Sequence, residues 1–243
     1  MRVIGIIPSR YNSSRFPGKP LTDILGKSMI QRVYDQSQKC NFLNKVIIAT
    51  DDERISFHVK SFGGDVMMTS KNHESGTDRC GEVIRKLEEY FDIVVNIQGD
   101  VPFINPDQIT QLVNMFENTN IQIATLAKQI DNYETYTDNN KVKVFFDDQN
   151  IAKKFEREAK LNVEDFRNYD IYKHIGIYAF RTNILNKIID LPPTENEKKL
   201  SLEQVRWMEN NYSIHIGITE FDSLSVDNLE DIENIIPLHL KND

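Results

Sequence analysis

Cysteine is scarce in this sequence. Cys40 and Cys80 stand alone, with no close CxxC pair, which argues against a cysteine-bound metal cluster and against a disulfide scaffold; they read as two reduced, partly buried thiols. Long apolar runs are missing too. The stretch MRVIGIIPSRYNSS offers only five consecutive apolar or glycine positions, too short for the apolar region of a signal peptide, and no stretch approaches a membrane span, so a cytoplasmic location is the expectation. Positive charge is in deficit. Against 37 Asp and Glu there are 29 Lys and Arg, a net charge of −8 that disfavours general nucleic-acid binding while leaving room for a local cationic pocket. Internal repeats and low-complexity tracts are absent.

What is present is ordinary globular material: 243 residues, 40% apolar and 27% charged, enough for one large α/β domain over 1–243. Residues 3–7 form a short apolar run closed by Pro8, read as a buried strand feeding a loop. Residues 45–49, 66–68 and 93–97 read as further strands, and 28–38, 53–60, 77–89 and 106–117 carry helical spacing. This alternation implies a parallel sheet covered on both faces, with ligands gathered at the C-terminal strand ends. The second half departs from it. Strands are expected at 123–127, 142–147, 151–155, 174–180 and 213–218, and helices at 182–189, 201–209 and 229–236. The sheet is therefore expected to be mixed, with an antiparallel excursion over 128–175 and a mobile loop over the site at 156–170.

The first strand feeds the stretch Pro8-Ser9-Arg10-Tyr11-Asn12-Ser13-Ser14-Arg15-Phe16-Pro17-Gly18-Lys19-Pro20-Leu21. It has three fixed cations, two adjacent serines and a Pro-Gly turn. A triphosphate needs several convergent cations and N–H donors, because each of its oxygens must be re-paired on leaving water. The stretch matches neither GxxxxGK[ST] nor GxGxxG. A solvated basic loop is the plainer reading of the same residues. After residues 93–97 comes Gln98-Gly99-Asp100, at the functional edge of a parallel sheet. Two-residue periodicity puts Gln98 and Asp100 on one side. Asp100 could hold Mg²⁺, which accepts one or two carboxylates beside phosphates and water, or could serve as a turn residue.

Several blocks are recognisable together. Ile7-Pro8-Ser9-Arg10, Ser14-Arg15-Phe16-Pro17-Gly18-Lys19-Pro20-Leu21, Ala49-Thr50-Asp51-Asp52, Ser75-Gly76-Thr77-Asp78-Arg79, Asn96-Ile97-Gln98-Gly99-Asp100, His174-Ile175-Gly176-Ile177-Tyr178 and Leu202-Glu203-Gln204-Val205-Arg206 resemble the cytidylyltransferases that activate 3-deoxy-manno-octulosonate (Kdo), the CMP-Kdo synthetases of lipopolysaccharide biosynthesis. The resemblance runs from about residue 3 to 235 in order and spacing. It implies a Rossmann-like nucleotide-diphospho-sugar transferase fold, three-layer α/β/α with a mixed sheet, in a homodimer with Mg²⁺ as cofactor. The 128–175 excursion would be a sugar-side or dimerisation element. Arg10 and Lys19 would bind the phosphates of CTP, Arg15 would position the reactive centre, and Ser75, Gly76 and Arg79 would contact the cytosine end. Asp227 would join Asp100 as a metal ligand. Gln98, His174, Tyr178, Glu203 and Gln204 would face the acidic sugar, with Arg15 and Arg157 as candidates for its carboxylate.

Local structure offers a plainer role at most of these positions. Ser75 or Thr77 could cap a helix, as could Asp227 or Asn228 before residue 229. His174 and Tyr178 could be packed core residues on one sheet face. The sequence also departs from the family pattern. Val101 stands where the usual QGDEP block has its acidic residue. The segment that resembles YFSR reads Lys154-Phe155-Glu156-Arg157, with no isoleucine-proline turn after it. A long carboxylate at Glu156 suggests an ammonium-bearing acceptor such as 8-amino-Kdo if it faces the sugar, and a solvated residue beside Lys154 and Lys160 if it does not. A nonulosonic acid and a phosphorylated sugar are more distant acceptor readings, and a catalytically silent homologue is the non-enzymatic one.

Overall fold

A computed structural model describes residues 1–12 and 16–239. Arg15, a sequence candidate, therefore lies outside the described residues. In chain order the elements are β1 (Val3–Ser9), β2 (Asp23–Ile24), β3 (Lys27–Ser28), α1 (Met29–Gln38), β4 (Lys45–Thr50), α2 (Glu53–Ser61), β5 (Val66–Met68), α3 (Gly76–Lys86), β6 (Ile93–Asn96) and α4 (Pro106–Asn114). They continue with β7 (Ile123–Gln129), α5 (Tyr133–Thr137), β8 (Lys143–Phe146), β9 (Ala152–Glu156), α6 (Val163–Phe166), β10 (Tyr172–Arg181), α7 (Thr182–Ile188), α8 (Glu195–Leu200), α9 (Gln204–Glu209), β11 (Ile214–Ile218) and α10 (Leu229–His239).

The main sheet runs β11-β7-β10-β6-β1-β4-β5, with the β8–β9 hairpin branching from β10. β1 pairs in parallel with both β4 and β6, and β10 enters antiparallel between β6 and β7. The mixed sheet is thus as expected. Its central strands are apolar on both sides because both faces are covered. Val3 and Ile7 point into the layer shared with α1, α2 and α4, while Ile4 and Ile6 point into the layer shared with α3, α7 and α9. Ile6 is fully buried, so Ile6→Ala would cost about 2–5 kcal/mol. A smaller core of Ile24, Met29, Val226, Ile232 and Ile235 fastens α10 to α1 and the β2–β3 hairpin. Among the described residues, no helix is long and apolar enough to cross a membrane.

Four local expectations need correction. β1 is not closed at Pro8 but continues through Ser9, in register with β4. Ile6 O accepts from Ile97 N, so Pro8 faces the same side two residues further on, beyond the last β6 pair, where its missing N–H leaves nothing unpaired. The helix expected from residue 77 has Ser75 as its cap and stops at Lys86. The helix expected over 201–209 begins later, at Gln204, because Ser201, with φ 52°, is the C-cap of the preceding helix α8. Finally, residues 156–170 carry α6 and pack onto a small core of Ile130, Tyr136, Phe166 and Ile171. The Tyr136 hydroxyl accepts from the Lys160 and Leu161 N–H groups, and no residue of this segment lines the cleft described next.

Candidate active site

A cleft of about 230 Å³ opens at the C-terminal ends of β1 and β6, lined among others by Ser9, Arg10, Lys19, Ser75, Arg79, Gln98, Asp100 and Asp227. Four separate chain segments meet there. The first is the loop after β1, which folds back on itself. Gly18 takes φ 75°, its N–H donates to Tyr11 O at 2.9 Å, and its α-carbon lies against the Tyr11 ring. Arg54 stacks on that ring at 3.3 Å. This fold-back delivers Lys19 to the cleft at the start of a 3₁₀ turn, Lys19–Leu21, with Arg10 exposed at the rim.

The second segment is the turn Gln98-Gly99-Asp100. A Cβ on Gly99 would stand 2.7 Å from the Pro8 carbonyl oxygen, so only glycine allows this turn to close on the first loop. The third is the N-terminus of α3. Ser75 Oγ accepts from Asp78 N at 3.1 Å and the Asp78 carboxylate accepts from Ser75 N at 3.3 Å, a reciprocal capping box. Of the two caps considered from sequence, Ser75 takes the role and still faces the cleft. Arg79 also lines it, but this residue is buried, with its guanidinium held by Asp51 at 3.2 Å, by the Thr69 hydroxyl and by the Ser70 carbonyl. Its charge is braced internally before any ligand arrives.

The fourth segment precedes α10. Asn228 Oδ1 accepts from Asp231 N, and the Asp231 carboxylate accepts from the backbone N–H of both Asp227 and Asn228. Those residues do the capping, and Asp227 lies in the cleft wall facing Lys19. The Lys19 ammonium donates to Asp100 Oδ2 at 2.9 Å and to Val226 O at 2.7 Å, and stands 3.7 Å from Asp227 Oδ1. Val226 N in turn donates to Asp100 O at 2.8 Å. Two carboxylates therefore converge on one cation-sized locus. Oxygen donors of this number suit Mg²⁺, which keeps water and phosphate oxygens as its other ligands, and among the described residues no denser cluster of metal-ligating side chains occurs.

The remaining sequence candidates, apart from Gln98, form a second constellation behind the cleft. β10 bulges between Ile175 and Tyr178, so strict alternation along the strand is broken, yet the His174 and Tyr178 rings still lie 5.1 Å apart. The bulge turns Gly176 toward Gln98, and a Cβ at Gly176 would stand 3.8 Å from Gln98 Cγ. Tyr178 is 3% exposed and packs edge-on against Trp207. Glu203 lies beside the Ser75 and Thr77 hydroxyls, and burial raises its carboxyl pKa. Arg157 donates to the Leu200, Ser201 and Asn139 carbonyls, at the turn leading into Glu203 and Gln204. Tyr178 Oη, Glu203 Oε2 and Gln204 Nε2 are buried without hydrogen-bond partners among the described residues. Such orphans are uncommon in folded proteins, and each calls for a partner, whether a water, an ion or a ligand.

His174 Nε2 lies 2.9 Å from Thr125 Oγ1, and Phe155 meets the ring edge-on. Burial lowers its pKa from 6.5 to about 3. The imidazole is thus neutral, and its share of stability is complete above pH 6.5 and declines as pH falls toward 3, because only the unfolded chain takes up the proton. In an NMR titration from about pH 8 to about pH 5, the His174 ring resonances are expected to stay flat; a midpoint near the ordinary value of about 6.5 would show the ring to be solvated.

Glu156 does not wait for a ligand. Its carboxylate is paired with Lys154 at 2.7 Å and with Lys160, the arrangement of the plainer of the two readings of this residue. We expect Glu156→Ser to leave the ratio of specificity constants for 8-amino-Kdo and Kdo within about twofold of the wild type, as for other surface pairs. A shift of about tenfold toward Kdo would restore the acceptor role. His73 and Glu74 also line the cleft, immediately before the Ser75 cap; no motif marks them, and that adjacency is their only signal in the sequence.

The chain is similar to known proteins along most of its length. A cytidylyltransferase family model matches residues 4–216. The chain is 48% identical to a 3-deoxy-manno-octulosonate cytidylyltransferase of Parabacteroides distasonis, over 97% of both chains. It is 43% identical to an 8-amino-3,8-dideoxy-manno-octulosonate cytidylyltransferase of a Shewanella species, over 96% of both. Among solved structures, a CMP:2-keto-3-deoxy-manno-octonic acid synthetase complexed with CTP superposes with a TM-score of 0.92 at 35% identity, covering 100% of each chain. The chain belongs to the CMP-Kdo synthetase family of cytidylyltransferases.

Proposed function

We propose that this protein transfers CMP from CTP to Kdo, or to a closely related 2-keto-3-deoxy sugar acid, and releases pyrophosphate. The observation that carries this reading is the convergence of Lys19, Asp100 and Asp227, from three distant segments, on one point of the cleft rim beside Arg10. The anomeric hydroxyl of the sugar acid attacks the α-phosphorus of CTP. A new P–O bond forms to the sugar, the bond to the β-phosphate oxygen breaks, and the hydroxyl proton leaves to solvent. Arg10 and Lys19 offset charge gathering on the departing pyrophosphate. Ser75 and Gly76, at the positive end of α3, line the wall assigned to the nucleotide.

Asp100 and Asp227 are the residues that would hold Mg²⁺. When bound, this ion draws charge from the phosphoryl oxygens and lowers the pKa of the attacking hydroxyl. The acceptor is assigned to the second constellation: His174, Tyr178, Glu203 and Gln204 sort its hydroxyls, Gln98 bridges the two sites, and Arg157, with Arg15, meets its carboxylate. The orphan polar atoms of Tyr178, Glu203 and Gln204 support that assignment. A cytoplasmic homodimer, with the 128–175 excursion contributing to the sugar side or the interface, completes the proposal.

Pyrophosphate release measured across CTP, UTP, ATP and GTP, each with Kdo, 8-amino-Kdo and a nonulosonic acid, tests the function directly. With Kdo we expect the specificity constant for CTP to exceed the others by at least roughly 100-fold, as in sites that hydrogen-bond the discriminating groups. Equal constants for all four nucleotides would remove the base assignment, and no release with any pair would remove the activity.

A further inference from the structure

We infer that Arg206 is a positioning residue that sets the spacing between the nucleotide wall and the acceptor wall, an inference that rests on the function proposed above. Arg206 lies on α9, one turn after Glu203 and Gln204, and is 4% exposed. Its guanidinium stands between two carboxylates that each belong to a capping box. On one side is Asp78 of the α3 box, 3.7 Å away; on the other is Glu197 of the α8 box, 3.2 Å away. Its Nη1 donates to Leu191 O at 3.1 Å. One buried cation thus ties together the N-termini of two helices and the helix that carries the acceptor residues.

The first turn of α3 has particular need of such a tie. Ser75, Gly76 and Arg79 present it to the cleft on one side. On the other side it borders a second hollow of about 410 Å³, lined by Asp78, Glu82, Leu191 and Arg206. Between these two openings the turn is packed only along its inner face, where Thr77 is 1% exposed and its hydroxyl accepts from Asn96. Arg206 lines the hollow and holds the turn by charge attraction rather than by hydrogen bonds, since Arg206 Nε and Asp78 Oδ1 have no hydrogen-bond partner among the described residues. Without the cation, Asp78 and Glu197 would be left as poorly solvated carboxylates near a third, Glu203, and would move apart. Because Glu203 lies beside Ser75 and Thr77 at the start of α3, a shift of α3 reaches both substrate walls.

Arg206→Met and Arg206→Lys, assayed at a temperature where circular dichroism shows each to be folded, test the inference. In Arg206→Met we expect kcat to fall by about 100-fold, the effect of misplacing reactants by about 1 Å, with KM rising for CTP and for Kdo together. Arg206→Lys, which restores the charge but not the fork, is expected to recover part of kcat. A variant with a lower Tm but unchanged kcat and unchanged KM for both substrates would reduce Arg206 to a fold-stabilising role and overturn the inference. If Arg206→Met does not fold, Glu197→Gln releases one anchor and the same joint rise in both KM values is expected; unchanged constants there also overturn it. A wild type inactive on CTP with Kdo would instead sink the proposed function. Calorimetric CTP affinity would then still decide the nucleotide half, weaker in Arg206→Met if the inference holds and unaltered if it does not.

Discussion

Asp100→Asn and Asp227→Asn are each expected to lower turnover by roughly 100- to 1,000-fold at saturating CTP and Mg²⁺, with the fold retained. Each change removes half of a carboxylate pair that converges on the locus taken up by the Lys19 ammonium. Neither removes a cap, since the start of α10 is capped by Asn228 and Asp231 and the α3 terminus by Ser75 and Asp78. Both side chains are about a third exposed, so loss of their charge should cost stability no more than about 1 kcal/mol. Pyrophosphate release, a Mg²⁺ titration and a melting curve on each variant give the required comparison. Native turnover in both would return the two residues to turn and loop roles.

Lys19→Met should act with opposite sign on binding and on chemistry. In the substrate-free protein the Lys19 ammonium holds the Asp100 and Asp227 carboxylates together and competes with any divalent ion for them. Replacing it with a neutral side chain of similar length removes the cation that the two carboxylates share. The expected result is tighter Mg²⁺ binding in the absence of nucleotide, by about tenfold. The same substitution removes a charge assigned to the leaving pyrophosphate, so kcat is expected to fall by roughly 100-fold or more. Isothermal calorimetry without nucleotide reads the first effect and steady-state kinetics the second. Weaker Mg²⁺ binding in Lys19→Met would mean that the ammonium preorganises the pair rather than competing for it.

Much of this arrangement is legible in the sequence, and the parts that are not have physical reasons. β1, β4 and β6 are short apolar runs because both of their faces are buried, and turn residues mark where they end. The first loop, the Gln98-Gly99-Asp100 turn and Ser75 stand out because a polar cluster just after a buried strand has little structural purpose. Short helices such as α5, α6 and α8 escape periodicity, which needs more than one or two turns to register. The β10 bulge at Gly176 defeats simple alternation, since a glycine inside a strand signals a kink without giving its size. The meeting of Asp227 with Lys19 cannot be derived from spacing at all; only the family resemblance points to it. Arg206 is the hardest of these. Local pattern places it between Val205 and Trp207 on a short helix, and only the positions of Asp78 and Glu197 show why an arginine is buried there.

The bond from Lys19 to the Val226 carbonyl joins residues 207 positions apart. Neighbouring strands β4, β1 and β6 can associate once roughly the first hundred residues are available, but the outer edge of β6 is covered only when β10 arrives. The contact that brings Asp227 into the cleft comes later still. During synthesis, which proceeds from the N-terminus, a partial chain can already hold Lys19, Ser75 and Asp100 while lacking the carboxylate that completes the pair. On the function proposed above, catalytic competence would be tied to one of the most non-local contacts in the molecule, the kind that forms slowly because its loop-closure entropy must first be overcome. A nascent or partly unfolded chain could bind nucleotide weakly without consuming it, so CTP would be spent only by molecules whose C-terminal helix has docked.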